Sequence, residues 1–248
     1  MSYDDLDGLG TPEAGWQAWP GLAALPAVDP LALVRAGSRL VVAAPHPDDE
    51  VLAAGGLLAL LAAAGREIAV VAVTDGTASH PRSTRWTPAA LAAARPVETA
   101  EALGRLGLAG VTVTRLGLPD GGVRDEAVAE ALVGLLRPSD VLLATWRFDA
   151  HPDHEAVGRA AARAAVSAGV GLLEVPVWAW HWATPGDPRV PWARALRVQL
   201  PPDVLRRKRF AVQAYASQLG HDDALPLGAV LPPEVLARLL RPAEVLLR

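Results

Sequence analysis

The stretch RLVVAAPHPDDE, residues 39 to 50, runs five apolar residues, Leu40 to Ala44, straight into a loop holding His46, Asp48, Asp49 and Glu50. The apolar run reads as a buried strand, and the loop lies at its carboxyl end. Beyond it, short apolar runs alternate with longer helical stretches, which marks a parallel sheet with helices on its faces. Strands are expected at residues 40–44, 67–74, 111–116, 141–144 and 172–177, with another near 196–200. Helices are expected at 50–64, 88–106, 125–136, 154–168, 202–216 and 232–240, the second started by Thr87 as cap and Pro88 as first residue. The fold class is therefore α/β, a Rossmann-like three-layer sandwich with a mostly parallel sheet. Residues 1–36, with Trp16, Trp19, Pro20, Pro26 and Pro30, read as an extension packed on a single domain of residues 37–248.

The 248 residues are 51% hydrophobic and 20% charged, the balance of a soluble globular chain with a sizeable core. A formal charge of −4 lacks the basic excess that draws nucleic acid or anionic membrane. Without cysteine, disulfides, thiolate zinc sites and thiol nucleophiles are excluded, so any metal must rest on His, Asp or Glu. The opening MSYDDLDGLG is acidic and lacks the basic-then-apolar order of a secretion signal, so the expected location is cytoplasmic. The longest apolar stretch, residues 51–65, is shorter than the roughly 20 residues of a membrane span and reads as a buried helix.

A second charged loop, RFDAHPDH, follows the fourth strand and offers His151, Asp153 and His154. In an open parallel sheet the first and fourth strands are commonly neighbours where the order reverses, and ligands bind at their carboxyl ends. Both loops then face one pocket. Three consecutive carboxylates, Asp48 to Glu50, repel a phosphate and raise one another's pKa unless a cation is present. One histidine and one carboxylate of the first loop, joined by one histidine of the second, make a three-ligand hydrolytic zinc site with the fourth position open to water. Spacing leaves the aspartate undecided: an extended loop aims His46 and Asp48 the same way, whereas a turn into a helix brings His46 to Asp49. The unused one is a candidate base.

PHPDDE and HPDH together resemble the PIG-L or LmbE-like de-N-acetylases, which act on compounds containing N-acetylglucosamine; the likeness spans about residues 39 to 220. The resemblance implies zinc held by His46, Asp49 and His154, with Asp48 as general base. It implies that His151 stabilises the oxyanion or protonates the leaving amine, oriented by Asp153. Weaker family-like features are TDG at 74–76, Arg95 with Glu98, LPDGG at 118–122 and Ser217 with Gln218. Pro45 and Thr77 stand where the family often has Ala and Glu. The expected enzyme is a zinc-dependent deacetylase of an N-acetylated amino sugar or its conjugate, with ferrous iron an alternative metal. Its expected partner is a small sugar conjugate, with no membrane insertion, and homo-oligomerisation is left open. Rival readings are a metal-dependent hydrolase of another amide or of a phosphoester, and a non-catalytic carbohydrate-binding protein.

Several residues have plainer readings beside the functional ones. Arg95 either contacts substrate or pairs with Glu98 on a solvated helix face. Asp120 and Asp75 are ordinary turn residues as well as candidate substrate contacts. His181, flanked by Trp180 and Trp182, is the best substrate candidate among His80, His181 and His221. Strand-like alternation puts Trp178, Trp180 and Trp182 on one face, where packing outweighs sugar stacking for at least two of them. The run Arg206 to Arg209 reads as a solvated helix face, and Gly55 and Gly56 as permitting close approach to the sheet.

Overall fold

The structure, a computed structural model, describes residues 8–248; the acidic opening read from residues 1–7 lies outside them. Seven strands form one sheet: β1 (Arg39–Ala44), β2 (Glu67–Thr74), β3 (Thr112–Leu118), β4 (Val141–Thr145), β5 (Gly171–Val175), β6 (Ala195–Gln199) and β7 (Ala243–Leu247). Their order is β3-β2-β1-β4-β5-β7-β6, with only β7 antiparallel to its neighbours. β1 thus lies between β2 and β4, so the loops after β1 and β4 leave adjacent strands at the same edge.

Among the described residues the helices are α1 (Glu13–Ala18), α2 (Pro20–Ala24), α3 (Pro30–Leu33), α4 (Asp49–Ala63), α5 (Pro88–Arg105), α6 (Asp125–Leu135), α7 (Pro152–Ala168), α8 (Ala179–Trp182), α9 (Pro202–Val212), α10 (Ala216–Leu219) and α11 (Pro233–Leu239). Alternation along β1 sends Leu40 and Val42 into a core shared with α4 and α5, and Val41 and Ala43 into one shared with α6 and α7. Those two cores make the three layers. α5 starts as its sequence requires, with Thr87 Oγ1 accepting the Ala90 N–H at 3.2 Å and Pro88 in the first turn. No helix among the described residues is long and apolar enough to cross a membrane.

Two local expectations need correction, and one strand is not anticipated. Residues 178–182 are a helical turn rather than a strand, so the tryptophans diverge: Trp178 stacks on His151, Trp180 meets Trp16 edge-on at 4.9 Å, and Trp182 stacks on Trp146. β7 carries no expectation at all, although Leu246 and Leu247 are fully buried in it. Lys208 does not share a solvated face with its basic neighbours, being wholly buried.

Lys208 has a task in α4. That helix breaks at Ala54 (φ −137°, ψ 15°), and a break strips nearby backbone groups of their helical partners. Lys208 Nζ donates to the Leu52 carbonyl at 2.8 Å, and the Glu244 carboxylate accepts the N–H groups of Gly56 and Leu57 at 2.7 Å each. The two side chains pair at 2.7 Å. Gly56 is required by contact, since a Cβ there would lie 2.4 Å from Leu200 Cδ2. The approach is to the residue after β6 and to β7 of the sheet.

Removing one partner of such a pair strands a buried charge. Lys208→Met should cost about 3–5 kcal/mol in urea unfolding, and a loss under about 1 kcal/mol would show that the pair does not hold the break.

Candidate metal centre

The loop after β1 turns at once into α4. The N–H groups of Asp48 and Asp49 both reach the His46 carbonyl, at 3.0 and 3.3 Å. Asp49 then folds back, its Oδ2 accepting the His46 N–H at 3.0 Å and lying 3.2 Å from His46 Nδ1. Of the two aspartates left open by spacing, the turn selects Asp49 as the neighbour of His46. After β4 the second loop passes through Ala150 at φ +69°, a left-handed conformation that costs an L-residue about 1–2 kcal/mol. It lies between Asp149 and His151, and α7 follows with Pro152 in its first turn and His154 one residue beyond Asp153.

His154 Nε2 lies 3.3 Å from Asp49 Oδ2 and 3.3 Å from His46 Nδ1. The three donor atoms form a nearly equilateral triangle. Four ligands at about 2.0–2.1 Å around a tetrahedral ion are separated by about 3.3 Å, so the triangle fits zinc with one position left over. The remaining ring nitrogens are also held. His154 Nδ1 is 2.9 Å from Asp149 Oδ2, and His46 Nε2 is 3.2 Å from Asp120 Oδ1 and 3.3 Å from Asp153 Oδ2. Carboxylates behind imidazoles fix the tautomer and the ring orientation that a metal needs. Asp149 is fully buried and fixed in turn by the N–H groups of Val177, Trp178 and Ala179, at 2.9–3.0 Å. These bonds also end β5 two residues before the expected limit. A second group, His46, His151 and Asp153, is close enough to hold an ion, but it shares His46 with the triangle.

Without an ion the cluster balances its carboxylates with protons. Burial works against charging the imidazoles, yet Asp49 and Asp149 raise His154 to about 9, and Asp120, Asp153 and Asp49 hold His46 well above its ordinary value. Asp49 stays ionised despite burial, well below the usual carboxylate range, because both imidazoles face it. Its neighbours behave oppositely. Burial lifts Asp48 to about 6 against the pull of Arg95, and lifts Glu50 to about 8 with help from the Asp48 charge. The three carboxylates therefore split, with burial outweighing their mutual repulsion. His151 falls to about 3, through burial and the charges of His154 and His46.

Asp48 Oδ2 accepts from Arg95 Nη2 at 2.8 Å. Arg95 is 2% exposed and also donates to the Gly76 and Pro47 carbonyls at 3.0 and 2.9 Å, so it is no solvated helix face. Glu98 is turned to Ser217 instead, taking its N–H and hydroxyl at 2.7 Å each. Gly76 (φ +62°) is the glycine of TDG, and a Cβ there would sit 1.8 Å from Arg95 Nη1. Asp153 accepts the N–H groups of Gly121 and Val123 at 2.7 and 3.0 Å, while its own N–H donates to His151 Nδ1 at 3.3 Å. The carboxylate thus serves His46 and the LPDGG loop, and the main chain serves His151. Asp120 borders the site beside His46, with Oδ2 on the Ala78 N–H at 2.6 Å. A cavity of about 250 Å³ is lined by His46, Asp49 and His154 together with Asp48, Arg95, Asp120, His151, Trp178 and His181. His80 lies outside its lining and His221 is exposed. Sequence reasoning missed Asp149, Glu50 with its Tyr215 hydroxyl donor at 2.9 Å, and Arg238 in the cavity wall.

The family model described as PIG-L, GlcNAc-PI de-N-acetylase, matches residues 40–165. Among solved structures, a conserved protein from Thermus thermophilus is 31% identical over 72% of this chain and 79% of its own, with a TM-score of 0.54. A deacetylase of the teicoplanin biosynthetic pathway is 25% identical over 73% and 82%, with a TM-score of 0.59. The N,N'-diacetylchitobiose deacetylase of Pyrococcus horikoshii, at 22% identity over 73% and 70% and a TM-score of 0.59, shares the fold. No curated protein sequence matches the chain.

Two outcomes follow from the electrostatics. His154 is raised from 6.5 to about 9, so an incoming metal must displace its proton, and affinity should climb as pH rises towards 9 and drop as pH falls. Competition with a chelator measures this, and a pH-independent affinity contradicts it. Glu50, pushed up to about 8, is neutral at pH 7. Glu50→Gln should therefore change unfolding free energy by less than about 1 kcal/mol, whereas Glu50→Ala should cost about 2 kcal/mol or more by leaving the Tyr215 hydroxyl unpaired.

Proposed function

Because the chain belongs to the PIG-L, GlcNAc-PI de-N-acetylase family, we propose that it is a metal-dependent hydrolase that removes the acetyl group from an N-acetylated amino sugar or its conjugate. The observation that carries this reading is the triangle of His46 Nδ1, Asp49 Oδ2 and His154 Nε2, with sides of 3.2–3.3 Å, beside a buried Asp48 held by Arg95. The similarity to a deacetylase of the teicoplanin pathway supports the reaction type.

His46, Asp49 and His154 would hold the ion; two nitrogens and one oxygen suit zinc better than magnesium. When bound there, zinc supplies Lewis-acid polarisation of the acetamide carbonyl and lowers the pKa of water. Asp48 is the base. Burial keeps its carboxylate near 6, high enough to accept a proton and low enough to be ionised at neutral pH, while Arg95 fixes its direction. Water adds to the acetamide carbon as Asp48 takes its proton. That proton then passes to the nitrogen, the C–N bond breaks, and acetate and free amine leave.

His151 is neutral, and the Asp153 N–H on its Nδ1 places the ring proton on Nε2, where it can donate to the oxygen that gains charge. Asp149, Asp120 and Asp153 act behind the imidazoles as positioning residues. Trp178, stacked on His151, offers an aromatic face to the sugar.

The test is acetate release from a panel of N-acetylglucosamine conjugates, coupled to metal analysis. Asp48→Asn should keep the metal and lose about 10²- to 10⁴-fold in turnover, and His154→Ala should lose the metal. Stoichiometric metal without acetate from any conjugate contradicts the deacetylase reading, and full activity in Asp48→Asn removes the base.

A further inference from the structure

Among the described residues four lysine and arginine side chains lie buried, and three of them meet a carboxylate. Arg95 has Asp48 at 2.8 Å, Lys208 has Glu244 at 2.7 Å and Arg241 has Glu13 at 2.6 Å. The fourth is Arg238 of α11, 3% exposed and part of the wall of the metal-site cavity. Its Nη1 donates to the carbonyls of Leu9 and Thr11 at 2.7 and 3.0 Å, and its Nη2 to His181 Nδ1 at 2.9 Å. A guanidinium cannot accept, so His181 offers a lone pair there. None of these three acceptors carries charge.

No carboxylate among the described residues lies within salt-bridge distance of Arg238. Glu13 and Glu234 act on it from farther away, and Glu13 is already gripped by Arg241, whose own charge repels Arg238. Burying a cation without a counter-charge costs several kcal/mol, and Arg238, with none beside it among the described residues, borders a ligand-sized space. Leu231, Val235 and Leu239 flank it with apolar surface, which strengthens any charge interaction made there.

We propose that Arg238, seated on His181, binds an anionic group of the substrate, a carboxylate or a phosphate on the part remote from the acetamide. The enzyme then acts on acidic conjugates of the amino sugar in preference to neutral ones. This rests on the deacetylase reading for the identity of the sugar, but not for the anion site. His181, singled out from sequence for its tryptophan neighbours, meets the substrate through the orientation it gives Arg238.

The test uses three probes: the carboxymethyl glycoside of N-acetylglucosamine, its neutral methyl ester, and N-acetylglucosamine 1-phosphate. Binding to the full chain is measured by calorimetry and acetate release is followed in parallel. At least one acid should bind roughly tenfold or more tighter than the ester, as a charge-assisted hydrogen bond requires, and whichever does so identifies the anion. Arg238→Gln should abolish the difference and Arg238→Lys should keep part of it. Equal binding of both acids and the ester to the unaltered protein, no binding of either acid, or a difference that survives in Arg238→Gln overturns the proposal. If no probe yields acetate but the acid preference is present and falls with Arg238→Gln, the deacetylase reading fails and the anion site stands.

Discussion

Two imidazole nitrogens and a carboxylate oxygen from opposite ends of 108 residues of chain are held 3.2–3.3 Å apart. The carboxylate between them favours protons on the imidazoles, and their surroundings hold all three groups in place. β1 and β4 pair directly, so their loops start within one strand spacing of each other. Asp149 grips the back of His154 and is itself pinned by three backbone N–H groups. Asp120 and Asp153 do the same for His46, each tied to a further loop. The local strain at Ala150 is tolerated because its neighbour Asp149 is fixed by these contacts.

The proposed base, Asp48, depends on a different compromise. Asp48 is buried next to an ionised Asp49, which by itself would keep it protonated, and Arg95 offsets that. Arg95 reaches Asp48 only because Gly76 has no side chain in the way, which gives TDG a physical reason. Glu50 takes the neutral form and ties α4 to Tyr215, so three consecutive acidic residues perform three different tasks in three environments. The Lys208–Glu244 pair sits one turn farther along α4 and keeps its break in register.

The strands, the helices that follow them and the two charged loops carrying His46, Asp48, Asp49, His151 and His154 were legible because each leaves a local mark: an apolar run, a cap, or a charged loop at a strand end; spacing did not choose between Asp48 and Asp49, and the turn into α4 does. Asp149 left none, since an aspartate in RFDAH looks like any turn residue and the backbone N–H groups that fix it are 28–30 residues away. Glu244 bonds the backbone of Gly56 across 188 residues, and nothing in AEVLL announces a strand that closes a sheet. The tryptophans mislead for the opposite reason. Spacing by two mimics a strand, but the N–H groups at 177–179 go to Asp149 and the chain coils. Arg238 in PEVLARL has the sequence of an ordinary helix-surface charge, and only the fold shows that its surface is the inside of a cavity.

Anomalous scattering from crystals of the metal-loaded protein locates the ion and its ligand atoms together, and so decides whether this triangle is a metal site. Such a site requires one ion per chain bonded to His46 Nδ1, an Asp49 oxygen and His154 Nε2. An ion bonded instead to His46 Nε2, His151 and Asp153, or no ion at either group, would contradict it.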